Sequence, residues 1–275
     1  MTAKAVTAKA DTAEWLSGYI PDLPTPFNHQ GEIDAEAFGR LCERQISAGA
    51  TALVVGETAG ESSTLEPAER VHLVRIAAGV ARKRVRIIAG AGSNATDRAV
   101  MFTRAAAAAG ADADAIMSVV PYYNKPMPQG MAAHFRAITA ATTLPVILHD
   151  IPSRRVKGLI DETLLELAAA PRIVGLRDGG GDVAPDLYVA VHRHFRAGRL
   201  YQARELHQRL VPLATLLERE HPAALKFALA LLGFMQPATR LPIVQLNGSA
   251  KAELAQAMAE LANEYIADAA PLSDE

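Results

Sequence analysis

The chain has 275 residues, half of them hydrophobic, enough to bury a sizeable core within one domain. Its 28 Lys plus Arg against 30 Asp plus Glu leave a formal net charge of −2, so there is no basic stripe to draw in nucleic acid or an anionic membrane surface. No run approaches the roughly 18 apolar residues of a membrane span, and the single cysteine, Cys42, has no internal disulfide partner. The expected partners are therefore a small molecule and further copies of the chain, and the expected compartment is a reducing cytoplasm.

Residues 1–17 repeat a Thr-Ala-Lys-Ala phrase without the continuous apolar stretch of a secretory signal, and read as a tail. An apolar run at 19–23 then opens a regular alternation. A helical pattern at 35–47, with Phe38, Leu41 and Ile46 on one face and Cys42 as a buried thiol, leads to a second run at 52–55. A helix opening on Pro67 spans 67–82, followed by a run at 85–89, a helix at 96–109 and a run at 115–120. A helix at 129–141, a run at 145–149, a helix at 161–169 and a run at 173–176 complete the pattern. Beyond it only helices are predicted, at 185–195, 200–220, 223–232 and 251–266, with 187–191 the one stretch that also reads as strand.

Strand-then-helix alternation predicts an α/β fold around a parallel sheet, and strands that read as apolar runs rather than alternations are covered on both faces. The expectation is a TIM-barrel-type (β/α) fold left incomplete at six strands, with a C-terminal helical extension. Its parts would be a tail at 1–17, the barrel portion at 18–185 and the helical region at 186–275. An eight-stranded barrel closes on itself, whereas six strands leave edges that something must cover.

In such folds the working groups lie at the carboxyl ends of strands. After the second run comes Gly56-Glu57-Thr58-Ala59-Gly60-Glu61-Ser62-Ser63, a glycine and hydroxyl loop whose backbone N–H groups suit a carboxylate. Tyr122-Tyr123-Asn124-Lys125 follows the fourth run, His149-Asp150-Ile151-Pro152-Ser153-Arg154 the fifth, and Arg177-Asp178-Gly179-Gly180 the sixth. Taken singly, each has a plainer reading as a turn, as aromatic packing or as a surface ion pair. Their shared placement is what points to a site.

Together these segments resemble the dihydrodipicolinate synthase and N-acetylneuraminate lyase family of pyruvate-using aldolases. The resemblance rests on GETAGESSTL at 56–65, AGAGSNAT at 89–96, VVPYYNKP at 119–126, PVILHDIPSRR at 145–155 and IVGLRD at 173–178, with ALKFALALLG and RLPIVQL near the end. It implies a (β/α) barrel with helical extension, a homo-oligomer of two or four chains, and no metal or organic cofactor. By the same resemblance Thr58 and Tyr123 match members of a proton relay. Ala59, Gly60 and Glu61 belong to the carboxylate-binding loop, and Arg154 matches the arginine that grips a second substrate.

Three departures qualify that match. The position of the imine-forming lysine holds Arg177, whose permanently cationic guanidinium offers no lone pair to a keto group. The relay tyrosine is replaced by His149, which still exchanges protons near neutral pH. Asp182-Val183-Ala184-Pro185 resembles the segment after the family's eighth strand, so two βα units, roughly forty residues by the size of such units, are expected to be missing. The expected function is binding of a small 2-oxo acid such as pyruvate with the Schiff-base chemistry lost. Arg177 would then polarise the substrate while Tyr123 and His149 move protons. The alternative is a silent relative that binds a carboxylate or serves as a structural partner.

Overall fold

The computed structural model describes residues 14–108, 112–151, 154, 159–177 and 184–269. Six strands form one parallel sheet in sequential order: β1 (Asp22–Leu23), β2 (Ala52–Val55), β3 (Arg86–Gly90), β4 (Ala115–Val119), β5 (Val146–His149) and β6 (Ile173–Arg177). Register runs from Asp22 opposite Val54 through Val119 opposite His149 to His149 opposite Arg177, with one shift between Val146 and Ile147 in the β5–β6 pairing, and brings the carboxyl ends of the strands together along one rim. Between them run α1 (Ala35–Ala48), α2 (Pro67–Ala81), α3 (Thr96–Ala108), α4 (Pro128–Ala140) and α5 (Asp161–Ala168). The C-terminal region consists of α6 (Pro185–Arg196), α7 (Leu200–Arg219), α8 (Ala223–Leu231) and α9 (Gly248–Ala269).

Local chemistry sets the helix boundaries. Asp34 caps α1 by accepting the Ala37 N–H at 2.9 Å, and Gly49 ends it at φ 102°, a left-handed conformation that costs glycine least. Pro67 and Pro128 open α2 and α4, where their missing N–H is no loss. The stretch 187–191 lies inside α6 and is not a strand. The basic residues of its last turn, Arg193, His194 and Arg196, suit a helix C-terminus, where cations meet the negative end of the dipole. The predicted strand at 19–23 shortens to two residues, because Pro21 has no N–H for a ladder.

The sheet is covered on both faces. Alternate residues such as Leu53, Val55, Ile87 and Ile116 meet the helices in the main core, with Phe38, Leu73 and Phe135. The opposite residues, Ala52, Val54, Ile88, Ala115, Met117 and Ile147, form a second cluster inside the curl, packed by Trp15, Leu16 and Ile20 from the chain ahead of β1. Leu16 Cδ1 lies 3.4 Å from where a Cβ on Gly175 of β6 would stand, so this segment reaches the last strand. Among the described residues no strand pairs with the outer edges of β1 and β6. Instead α6 lies beside the first unit, with Tyr188 stacked on Tyr19 at 6.3 Å and Val189 beside Gly49. A third cluster joins Ala37, Leu41 and Ala59 to Leu210, Leu225 and Leu254 of the C-terminal helices.

One buried group in this frame makes stability depend on pH. His134 on α4 meets Thr96 Oγ1 at 3.0 Å through Nδ1 and has no partner at Nε2, and burial depresses its pKa to about 4. In the unfolded chain the ring takes up its proton near pH 6.5, but in the folded chain only near 4. The stability due to the neutral ring is therefore fully present above 6.5 and is lost as pH falls towards 4. Urea titrations across that window should show a loss of up to about 3 kcal/mol from this ring, and His134→Gln should remove that share of the slope, leaving the share of buried His221, whose pKa is likewise lowered to about 4. An unchanged slope in the variant would assign the loss to other groups.

Candidate functional site

Four charged or titratable side chains meet at the rim. Asp22 is the first residue of the two-residue β1, Glu57 follows β2, and His149 and Arg177 are the last residues of β5 and β6. The Arg177 guanidinium pairs with Asp22 Oδ2 at 3.0 Å and touches Met117 Sδ at 3.7 Å. His149 Nδ1 lies 3.2 Å from Glu57 Oε2, and Thr58 donates its hydroxyl to the same carboxylate oxygen at 2.6 Å. His149 is 0% exposed and Glu57 2%. The approach is close because Gly90 lacks a side chain: a Cβ there would stand 2.3 Å from the Gly56 carbonyl oxygen.

The two carboxylates titrate in opposite directions. Burial works to raise Glu57, but the His149 contact, the Thr58 hydroxyl and the Arg177 charge outweigh it and hold the carboxylate below its usual range. Burial also raises Asp22, and there Arg177 only partly compensates, with the nearby Glu57 charge adding to the rise. Two acids held in one small volume with separated proton affinities are what acid–base work requires.

Beside this cluster opens a cleft of about 240 Å³ lined by Thr58, Glu61, Ser62, Ser63, Tyr122 and Arg154, with Pro222 and Ile243 contributed by the C-terminal region. Thr58 links the two, since it lines the cleft while bonding to buried Glu57. Arg154 donates to the His221 carbonyl at 2.9 Å and approaches its Nδ1 at 3.3 Å. Burial, then Arg154 and Arg177, depress the His221 imidazole to about 4.

The predicted residues separate into groups. Thr58, Glu61 and Arg154 come together at the cleft, and His149 and Arg177 meet in the buried cluster. The Ala59 N–H is engaged by Asp22 Oδ2 at 3.2 Å, and the Gly60 carbonyl by Thr25 at 2.7 Å. Glu61, at φ 55°, directs its carboxylate to the buried Lys226 ammonium and accepts the Arg240 N–H at 3.0 Å. Tyr123 is 85% exposed, at φ 71°, while its neighbour Tyr122 lines the cleft. Lys125 is exposed. Pro152, Ser153, Asp178, Gly179, Gly180, Asp182 and Val183 lie outside the described residues. Among the described residues no three His, Cys, Asp or Glu side chains are placed to hold a metal, and no helix is long and apolar enough to cross a membrane.

Sequence reasoning overlooked Asp22, His221 and Lys226, and it placed Glu57 and Tyr122 in strand-end segments without giving them a role. Asp22 and Lys226 each carried a usable signal, a lone charge inside an apolar segment, and such charges are buried only with a partner.

A curled parallel (β/α) sheet with polar groups gathered at its strand ends defines a small-molecule site of the TIM-barrel type. The comparisons make that class specific. The profile of the dihydrodipicolinate synthetase family matches residues 15–186 and 181–261, and the chain belongs to that family. It is 39% identical to the 4-hydroxy-tetrahydrodipicolinate synthase of Hyphomonas neptunium over 88% of this chain and 97% of that one. Among solved structures, the dihydrodipicolinate synthase of Acinetobacter baumannii complexed with pyruvate superposes with a TM-score of 0.84 at 30% identity, covering 89% of this chain and 98% of that one. A monomeric dihydrodipicolinate synthase variant gives a TM-score of 0.86 at 28% identity, covering 92% and 99%.

These figures also locate the shortening. The Hyphomonas alignment spans 287 positions, while 88% of 275 residues is about 242, so about 45 positions of that relative have no counterpart here. The two family matches meet at 181–186, where the sequence places the junction.

Proposed function

We propose that this chain is a dihydrodipicolinate synthase-like member of the pyruvate-dependent aldolase and lyase superfamily that binds a small 2-oxo acid without forming the family's imine. The observation that carries the reading is the Asp22–Arg177 ion pair at the end of β6. A guanidinium neutralised by a buried carboxylate can orient or polarise an oxo acid but cannot add to its carbonyl. Lys226 does not replace the missing amine. Its ammonium is enclosed by Glu61, the Ala238 carbonyl at 2.8 Å and the Phe27 ring at 4.1 Å, and it is fully buried.

In this reading the cleft holds the oxo acid with its carboxylate against Arg154 and the Ser62–Ser63 turn. Thr58 then takes a proton from the bound acid as its own hydroxyl proton passes to Glu57, whose accepting oxygen also lies 3.2 Å from His149 Nδ1. Tyr123, exposed within one chain, would serve a relay only by meeting a second copy. The edges of β1 and β6, with which no described strand pairs, support association into a homo-oligomer of two or four chains, and the reading places it in the cytoplasm. The silent-relative alternative draws on one observation, the complete enclosure of His149.

Incubation with pyruvate and borohydride, followed by intact mass measurement, tests the first claim: the mass is expected to stay unchanged. A pyruvyl adduct on any lysine would falsify it. Titration of pyruvate in a thermal-shift assay separates the two readings. A saturable rise in Tm that Arg154→Ala abolishes supports the cleft as the binding site, whereas no rise favours the silent relative.

A further inference from the structure

The charges around the Arg154 cleft are few and already largely committed. Its described lining contains one cationic side chain, Arg154, and one carboxylate, Glu61, which is met by the Lys226 ammonium and the Arg240 N–H. Arg177 is not part of that described lining, and Asp22 balances its guanidinium. His221 adds no second cation. Its Nδ1 stands 3.3 Å from the Arg154 guanidinium, and burial, then Arg154 and Arg177, lower its pKa to about 4, so the ring is neutral at pH 7. Facing a guanidinium, the neutral ring presents its lone pair at Nδ1 and carries its proton on Nε2. Among the described residues the cleft therefore offers countercharge for one carboxylate.

The rest of the wall is apolar. Val119 closes β4 and Val120 follows it, Ile151 precedes Arg154 in the loop after β5, and Pro222 and Ile243 come from the C-terminal region. None of these side chains can bond to an oxygen. The space also exceeds what pyruvate fills: a cavity of about 150 Å³ holds benzene, so about 240 Å³ accommodates roughly nine non-hydrogen atoms, about three more than pyruvate has.

From this lining we infer, building on the oxo-acid reading and narrowing it, that the cleft selects a 2-oxo monocarboxylate with an aliphatic chain about three carbons longer than pyruvate's methyl. The single carboxylate pairs with Arg154, and the chain covers the apolar wall. Each methylene buried there adds about fourfold in affinity. A second carboxylate would instead lose its water against apolar side chains with no cation to replace it, so 2-oxo dicarboxylates are selected against.

Calorimetric titration of the intact chain with pyruvate, 4-methyl-2-oxopentanoate and 2-oxoglutarate, at pH 7.5 and constant ionic strength, tests the selection. The branched acid is expected to bind at least about tenfold tighter than either of the others. Ile243→Ser should lower the ratio of its affinity to that of pyruvate by at least about threefold. Ile243 is half-buried, and a circular dichroism melt verifies that the variant is folded. The series on the parent chain decides the matter even if it is not. Pyruvate bound as tightly as the branched acid, or 2-oxoglutarate bound tightest, would overturn the inference and leave the oxo-acid reading standing. A preference that a folded Ile243→Ser variant leaves unchanged would place the aliphatic chain elsewhere and overturn it too. Failure of all three acids to bind would remove the oxo-acid reading and the inference together.

Discussion

Lys226→Met is expected to cost about 3–5 kcal/mol of folding stability, the magnitude seen when one partner of a buried ion pair is removed. Lys226 sits in α8, a helix of otherwise apolar residues, and is fully buried with its ammonium against the Glu61 carboxylate. Burial drives its pKa down to about 8, with Glu61 opposing, so the ammonium is retained at pH 7. Removing it leaves Glu61 ionised in an enclosed site with only the Arg240 N–H for compensation at that carboxylate. It also removes a donor from the Ala238 carbonyl and a cation from the Phe27 face. The double variant Lys226→Met with Glu61→Gln should recover at least half of the loss, because the stranded charge is then gone. Urea unfolding of the two variants beside the parent decides it. A single-variant loss below about 1 kcal/mol would mean that water reaches the pair, as it does for surface ion pairs of that worth.

That pair fixes more than stability. Glu61 belongs to the loop after β2 and lines the cleft, while Lys226 and Arg240 come from the C-terminal region. Arg240 extends the tie, reaching Glu69 of α2 and the Gly31 carbonyl at 2.7 Å while lying 4.2 Å over Phe27. Glu61 is thus a structural anchor at the margin of the site, with both carboxylate oxygens occupied. The expectation of a substrate-binding Glu61 came from its loop, of which Thr58, Ser62 and Ser63 also line the cleft.

What the sequence disclosed and what it hid divide along the range of the interactions. Strands β2 to β6 and helices α1 to α5 were legible because apolar runs, Asp34 before α1 and Pro67 at the start of α2 act within a few residues of themselves. The incomplete barrel was legible too, since a count of apolar runs needs no tertiary knowledge. The partners of site residues were not, because they lie far apart in the chain: Arg177 and Asp22 are separated by 155 residues. The role of the Tyr122–Tyr123 pair turned on one backbone angle, φ 71° at Tyr123, which places the first ring at the cleft and the second in solvent. Nothing in the letters of a Tyr-Tyr dipeptide specifies that angle. Trp15 and Leu16, taken as part of the tail, pack inside the curl for a related reason: the apolar face they cover exists only after the sheet has formed.

The Asp22–Arg177 pair leads to the second large effect, the gain of an imine by design. Arg177→Lys places an amine at the end of β6, but Asp22 would hold it as an ammonium, because an adjacent carboxylate favours the charged form. Each unit by which its pKa exceeds the working pH leaves about tenfold less free amine to attack a carbonyl. Replacing the acid as well, in Asp22→Ala with Arg177→Lys, removes the directly paired carboxylate and leaves burial, which lowers a lysine's pKa, opposed by the more distant Glu57 charge. With pyruvate and borohydride, the single variant should accumulate adduct slowly and the double variant at least about tenfold faster at pH 7.5. The rate of the single variant should also climb with pH, whereas that of the double should be nearly level above neutrality. Equal rates in the two variants would show that Asp22 does not govern the proton at position 177. Labelling of neither, with pyruvate still binding by thermal shift, would place the bound keto group out of reach of β6 and assign the missing chemistry to the shortened barrel.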